Sequence, residues 1–454
     1  MTHPPPSAHE PGAGGNAPPP VTSGRAYLHL VLLGAAIGIP AALVAALFLA
    51  LVHDVEHWLW HDLPDALGHS SAPWYLVIGL PVVGAALVVA ARLFLPGDGG
   101  HEPLEGLATA PTPVSHGPGV ALAALGTLSF GAVLGPEAPI VALGSLMGVA
   151  AARAASVGKR GSAVLSSAGE FSAISALFGG PVVAGMLLVE GGVALGAALL
   201  PLLLPGLVAA AVGYVVFIGF GSWGGLDTQG LVVPNLPLYD GVHVGDLAIG
   251  LVVGVVAAAV VAGVRRLGAA IDGRRERLGM AGLLLGGALA VGLLAELADL
   301  LGADPLDVLF SGQASIPAVV DQDSTKIIVI LLVAKFLAYG VSLGAGFRGG
   351  PIFPAIFLGI ALASLTVVWF DASPTLAVSV GTVSVPCEPT SRVDRSTGVT
   401  IRRVCAAMPA AVPTETASVG DASNQTTVND ASATPRKIAG KIGPPRKPHP
   451  RLTP

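Results

Sequence analysis

One carboxylate, Glu137, stands in the otherwise uncharged stretch GAVLGPEAPIVALGSLMG, residues 131–148. An ionisable group at membrane depth is costly, so such residues face water-filled paths and act there. The neighbours of Glu137 narrow the chemistry. Gly135, Pro136 and Pro139 break the backbone where a helix begins, and Ala142, Gly144, Ser145 and Gly148 follow as a small-residue helix. That arrangement aims backbone N–H groups and a positive helix end at a point within the bilayer. An anion fits such a point, and an ionised Glu137 competes with it. The other reading of the same residues is a carboxylate that caps its own helix and does not move.

A second copy of the pattern favours the first reading. In GGPIFPAIFLG, residues 349–359, Gly350, Pro354 and Gly359 correspond to Gly135, Pro139 and Gly144 at one constant offset. Two hydrophobic segments broken by Gly and Pro at corresponding positions of two halves are the sequence sign of a transporter with an internal repeat. The counterpart of Glu137 is Ile352, so the two halves are chemically unequal.

The elements that must position these residues are membrane helices. The chain has 454 residues, 53% of them hydrophobic and 11% charged, and a mean hydropathy of +0.75. Several runs exceed the length of about 20 apolar residues that spans a bilayer. The 2 cysteines, Cys387 and Cys405, fit neither a disulfide framework nor a zinc site, and the 11 histidines lack ligand spacing. No phosphate-binding loop, H-E-x-x-H or serine-nucleophile elbow is present. Composition and motifs together point to transport and not to an enzyme, and no metal, cofactor or nucleic-acid partner is implied.

Four segments, taken in order, resemble the CLC family of chloride channels and proton/chloride antiporters. GPEAP, residues 135–139, resembles that family's GREGP or GKEGP. GGPIFP, residues 349–354, resembles its GxFxP segment. GGHEPLEGL, residues 99–107, resembles GSGIP followed by E-x-E-G. LFGGPVVAGMLLVEGG, residues 177–192, resembles the helix that runs into an E-E or E-V pair. The resemblance covers roughly residues 25–370. It implies an all-α integral membrane fold of CLC type, an inverted-repeat bundle with broken, tilted helices, its second repeat incomplete here. It implies Glu137 as the gating glutamate and an anion path lined by the backbone of Gly100, Gly135, Pro136, Ala138, Gly350, Ile352 and Phe353. It implies small inorganic anions as partners, with protons too if the chain follows the family's antiporters, a lipid bilayer around the chain, and a homodimer. Part of the family's dimer surface follows residue 369, which puts dimerisation of this chain in doubt.

Three parts are expected along the chain. Residues 1–24, rich in Pro, Gly and Ala, read as disordered and not as a signal peptide. Residues 25–370 read as the membrane domain, with helices at about 27–58, 74–95, 117–134, 137–154, 162–177, 181–195, 197–219, 244–265, 279–301, 324–344 and 351–369. Segments 221–242 and 303–322 read as polar loops. Residues 371–454 read as a polar, disordered tail. In the resemblance several membrane helices should follow residue 369, the last carrying a tyrosine that helps hold the central anion, and no tyrosine follows Tyr339. The tail is read either as native to a shortened member or as a frameshift of a longer parent. Arg92, the cluster Arg153, Lys159 and Arg160, and the cluster from Arg265 to Arg277 assign one face to the cytoplasm, with the N-terminus on the same side and the 221–242 loop outside, in the plasma or inner membrane.

The remaining motif residues depart from the family. Gly100 stands where the first motif has serine, so no hydroxyl is offered there. Glu102 and Glu105 either repel an entering anion or cap a helix N-terminus, the reading we favour. Pro136 replaces the Arg or Lys of GREGP. Arg348 either restores that charge or snorkels to the headgroups. Pro351 removes one N–H if Gly350 is the motif's glycine; with Phe353 as the motif's phenylalanine, the amides of Ile352 and Phe353 remain available. Gly191 falls where the family's antiporters carry an internal proton-relay glutamate, one position after Glu190, and Glu170 is the nearest other candidate. Lys335 reads as a structural charge. The function expected is channel-like anion transport gated by Glu137. The alternatives are a coupled proton/anion antiporter and a non-conducting product.

Overall fold

The computed structural model describes residues 24–105, 111–192, 199–219, 236–237, 239, 241 and 244–383. Its helices run in chain order α1 Gly24–His57, α2 Leu63–Ala66, α3 Trp74–Phe94, α4 Gly117–Leu128, α5 Glu137–Ala154, α6 Lys159–Phe178, α7 Pro181–Gly192, α8 Leu200–Gly219, α9 Val244–Asp272, α10 Arg275–Leu300, α11 Pro305–Val308, α12 Ile316–Val320, α13 Thr325–Ala345, α14 Ile352–Phe370 and α15 Pro374–Val383. Among the described residues, 8 spans are long and apolar enough to cross a membrane. Apolar side chains such as Leu247, Leu251, Val255, Leu293 and Leu297 stay exposed along α9 and α10. A bilayer covers such faces, because hydrocarbon is the solvent there.

Without a hydrophobic drive between helices, close backbone approach holds such a bundle together. A Cβ on Gly144 or Gly148 of α5 would collide with the backbone of Gly169 or Leu165 of α6. In the second half, a Cβ on Gly381 of α15 would meet the Gly359 carbonyl of α14 at 2.6 Å. Gly144 and Gly359 are the glycines that the sequence repeat pairs.

The repeat also ties the halves to each other. Gly135 and Gly350 exchange backbone hydrogen bonds, Gly135 N to Gly350 O at 2.8 Å and Gly350 N to Gly135 O at 2.6 Å. The Val133 amide donates to Ser342 Oγ at 3.0 Å, and the Arg348 amide donates to Thr127 Oγ1 at 3.1 Å. Thr127 and Ser342 stand at the repeat offset, and so do Val133 and Arg348. Each half therefore lends one hydroxyl to the broken backbone of the other. This reciprocal pair satisfies buried amides that no helix supplies with acceptors.

Several expectations change. The helix expected to reach residue 134 ends at Leu128, because Ser129 to Pro136 carry the extended and turn backbone that crosses to the second half. Segment 303–322 is not simply a polar loop: it contains α11 and α12 and buries Val308, Leu309 and Ile316. Lys335 is fully buried and donates to the carbonyls of Asp307 and Leu309 at 3.0 and 2.6 Å, with its ammonium 4.7 Å from the Phe357 ring centre. It secures that segment, as a structural charge does. Helical packing continues past residue 370 through α15, which lies on α14 and α9. Residues 1–23 and 384–454, most of loop 221–242 and residues 106–110 lie outside the described residues.

Candidate anion pathway

The two breaks meet at the Glu137 carboxylate. Glu137 is the first residue of α5, follows Pro136, and is 1% exposed. Its carboxyl keeps a contact with its own backbone amide at the start of α5. It reaches across to the N-terminus of α14, where Oε1 accepts hydrogen bonds from the amides of Ile352 and of Phe353, the latter at 3.3 Å. Oε2 is buried and accepts no hydrogen bond. A carboxyl oxygen thus occupies the N-terminal end of a 19-residue helix, the position that a free anion favours.

The other expected path residues have distinct parts. Gly135 and Gly350 turn their amides to each other and contribute room: a Cβ on either would overlap the Glu137 carboxylate. Pro136 has no amide and sets the start of α5. Ala138 lies in the first turn of α5, on the wall of a narrow cavity of about 10 Å³ that Gly99, Gly100, His101, Arg348 and Gly349 also line. Gly100 takes φ 102° and gives its amide to the Gly97 carbonyl at 2.9 Å, so its backbone closes a turn. Pro351 ends the crossing as the N-cap of α14, and its carbonyl accepts from the Tyr339 hydroxyl at 2.6 Å. The amides of Ile352 and Phe353 are the ones that face the carboxylate.

Arg348 does not snorkel. It is 2% exposed. Nε donates to the Asp98 carbonyl at 3.0 Å, Nη2 pairs with Asp98 Oδ2, and Nη1 lies 3.4 Å from Glu102 Oε1. Arg92 binds Asp98 through Nε and Nη2 at 2.8 and 2.9 Å, and Arg275 binds Glu102 at 2.7 Å. Glu102 therefore joins an ion-pair network and does not cap a helix. Gly279, at φ 71°, breaks α10 one turn after Arg275. Arg92, Asp98 and Arg275 had no place in the sequence reading of the site. Arg92 and Asp98 are close in the chain, but the pairings of Asp98 with Arg348 and of Glu102 with Arg275 join distant segments, and no local spacing announces them.

Burial works against the charge of Glu102. The hydrogen bond from Arg275 and the charges of Arg348, Arg275 and Arg92 outweigh it and hold the carboxyl below its usual range. A depressed carboxylate contributes stability that is present above its unfolded pKa and is lost as pH falls through the folded value. Glu102→Gln should therefore lower the midpoint of thermal aggregation in detergent more at neutral pH than at the lowest pH the fold survives, because the contribution is lost only as pH falls through the depressed folded value. Equal losses at both pH values would contradict this pairing.

Among the other candidates, Glu190 and Gly191 lie on α7. Glu170 of α6 accepts from Ser166 Oγ at 3.2 Å, and Ser166 lies 2.6 Å from Ser145 Oγ, which in turn accepts the Thr112 amide at 3.0 Å.

Fold and site together define a multi-pass, all-α membrane protein built on an internal repeat whose broken helices meet around one carboxylate. Residues 102–387 match the sequence model described as voltage gated chloride channel, and the chain belongs to that CLC family of ion-transport proteins. Proteins named YfeO and described as ion-transport proteins, from Escherichia coli strain SMS-3-5 and Escherichia fergusonii, are each 32% identical over 358 residues, covering 74% of this chain and 79% of theirs. A CLC-type fluoride/proton antiporter shares the fold at TM-score 0.63 and 20% identity, over 80% of this chain and 87% of its own. A slow cyanobacterial Cl−/H+ antiporter does so at TM-score 0.61 and 14% identity, over 78% and 84%. The family match extends past residue 370 and includes α15.

Proposed function

We propose that this chain carries small inorganic anions through the membrane by a channel-like path and that Glu137 is its gate. The observation that carries this reading is the Glu137 oxygen on the amides of Ile352 and Phe353. Those amides replace water around a dehydrated anion, and the carboxylate is a tethered anion that competes for them. Protonation removes the competitor's charge and frees the place. Arg92 and Arg275 join one network with Arg348, and by the positive-inside rule we assign that end to the cytoplasm. Reconstitution of the full chain tests the reading: chloride or fluoride efflux from liposomes should be saturable and should rise as pH falls. Absence of selective efflux would favour the non-conducting alternative.

A second reading, coupled proton/anion antiport, draws on the hydroxyl run from Ser145 through Ser166 to Glu170 and on the two structural neighbours named as antiporters. Under the channel reading, an anion gradient drives no uphill proton movement in these liposomes. Robust proton uptake that Glu170→Gln reduces ten-fold or more would establish antiport in its place.

A further inference from the structure

We propose that the hydroxyl of Tyr339 sets the strength of the anion seat at the start of α14, acting through the Pro351–Ile352 peptide without touching the anion. The inference rests on the reading of the Ile352 and Phe353 amides as that seat. Tyr339 lies on α13 and is 2% exposed. Its hydroxyl donates to the Pro351 carbonyl at 2.6 Å. The N–H of that same peptide unit belongs to Ile352, and it donates to Glu137 Oε1. A trans peptide is planar, with its C=O and N–H pointing opposite ways. Hydroxyl, peptide and carboxyl oxygen therefore form one hydrogen-bonded chain, with Tyr339 behind the seat and Glu137 in it.

Two effects follow from this chain. A donor on the carbonyl draws electron density from the peptide nitrogen and makes its N–H a stronger donor, by about 10–30% per bond in a low-dielectric site. A buried ring also fixes the peptide plane, so the Ile352 amide points at the seat before an anion arrives. Tyr339 is thus a positioning residue. The two halves of the repeat differ at this point. The equivalent of the Pro351 carbonyl is that of Pro136, which accepts the Ile140 amide of its own helix at 3.1 Å. The equivalent of Tyr339 is Ala124, which carries no hydroxyl. The support stands in the half whose amides face the carboxylate. A buried tyrosine satisfies its hydroxyl on any carbonyl within reach, and this one takes the carbonyl that backs the seat.

The test is the chloride affinity of the purified full chain in the Glu137→Gln background, where the seat is open, measured by titration calorimetry. Adding Tyr339→Phe, which removes only the hydroxyl, should weaken chloride binding about three-fold or more. A ring-fluorinated tyrosine at position 339, a stronger donor of nearly the same size, should tighten it. Ser364→Ala is the control: it breaks a comparable buried bond within α14, Ser364 Oγ to the Ile360 carbonyl at 3.0 Å, and should lower the thermal midpoint without changing the affinity. Weakening by Ser364→Ala equal to that by Tyr339→Phe would reduce the effect to lost packing and overturn the inference. An affinity unchanged by both replacements of Tyr339, with chloride still bound in Glu137→Gln, would overturn it and leave the Glu137 reading intact. Absence of chloride binding in Glu137→Gln itself would overturn that reading and this inference with it.

Discussion

Glu137→Gln should raise anion efflux at neutral pH by about ten-fold or more and flatten its dependence on pH. The magnitude follows from the bonds that seat the carboxylate. Hydrogen bonds to a charged group contribute about 1.5–3 kcal/mol each net, and each 1.4 kcal/mol is about ten-fold in occupancy. Glu137 Oε1 accepts two such bonds, one of them long at 3.3 Å. The amide side chain keeps the shape but cannot become an anion, so it loses both the competition and the switch. Efflux from liposomes across acid and neutral pH measures this. A variant with the wild-type profile would mean that Glu137 does not gate.

Gly350→Ala should reduce efflux at least ten-fold at every pH, and Glu137→Gln should not rescue it. The new methyl group takes the space that the carboxylate occupies in this structure and that an anion needs in its absence. The Gly350 amide is also committed to Gly135, so the backbone cannot yield without breaking the bridge between the halves. Overpacking of this kind costs about 1–3 kcal/mol, so the variant should still be purified in detergent. Gly286→Ala is the control, since nothing lies within 4 Å of a Cβ there. Normal efflux in Gly350→Ala would show that the path runs elsewhere.

The repeated Gly/Pro breaks were legible because they are punctuation. Few residues tolerate a broken helix within a membrane, and the same spacing twice in one chain carries its own control. The carboxylate proposed as the gate stood out for the same reason, since one carboxylate in an uncharged stretch has few uses. Its direction was not legible. Whether Glu137 only caps α5 or also crosses to α14 depends on how the halves face each other. The reciprocal Thr127 and Ser342 bonds did leave a trace, two hydroxyl residues at the repeat offset, which a residue-by-residue comparison of the halves would have found. Arg348 was seen but its partners were not. Charged residues flanking helices were read for topology, and a buried network among Arg92, Asp98, Glu102, Arg275 and Arg348 has no period. Helix α15 was missed because Pro374, two threonines and a serine look polar beside the leucine-rich spans. Its packing rests on Gly381 and small side chains instead.

The most direct test of the central claim is to see what replaces the carboxylate. Crystals of the Glu137→Gln chain grown in bromide should show an anomalous peak within hydrogen-bonding distance of the Ile352 and Phe353 amides, where Glu137 Oε1 now sits. Wild-type crystals at neutral pH should show the carboxylate there and no bromide. Bromide at those amides with the wild-type carboxylate still in place, or no bromide there in the variant, would contradict the account of Glu137 as a tethered competitor of the transported anion.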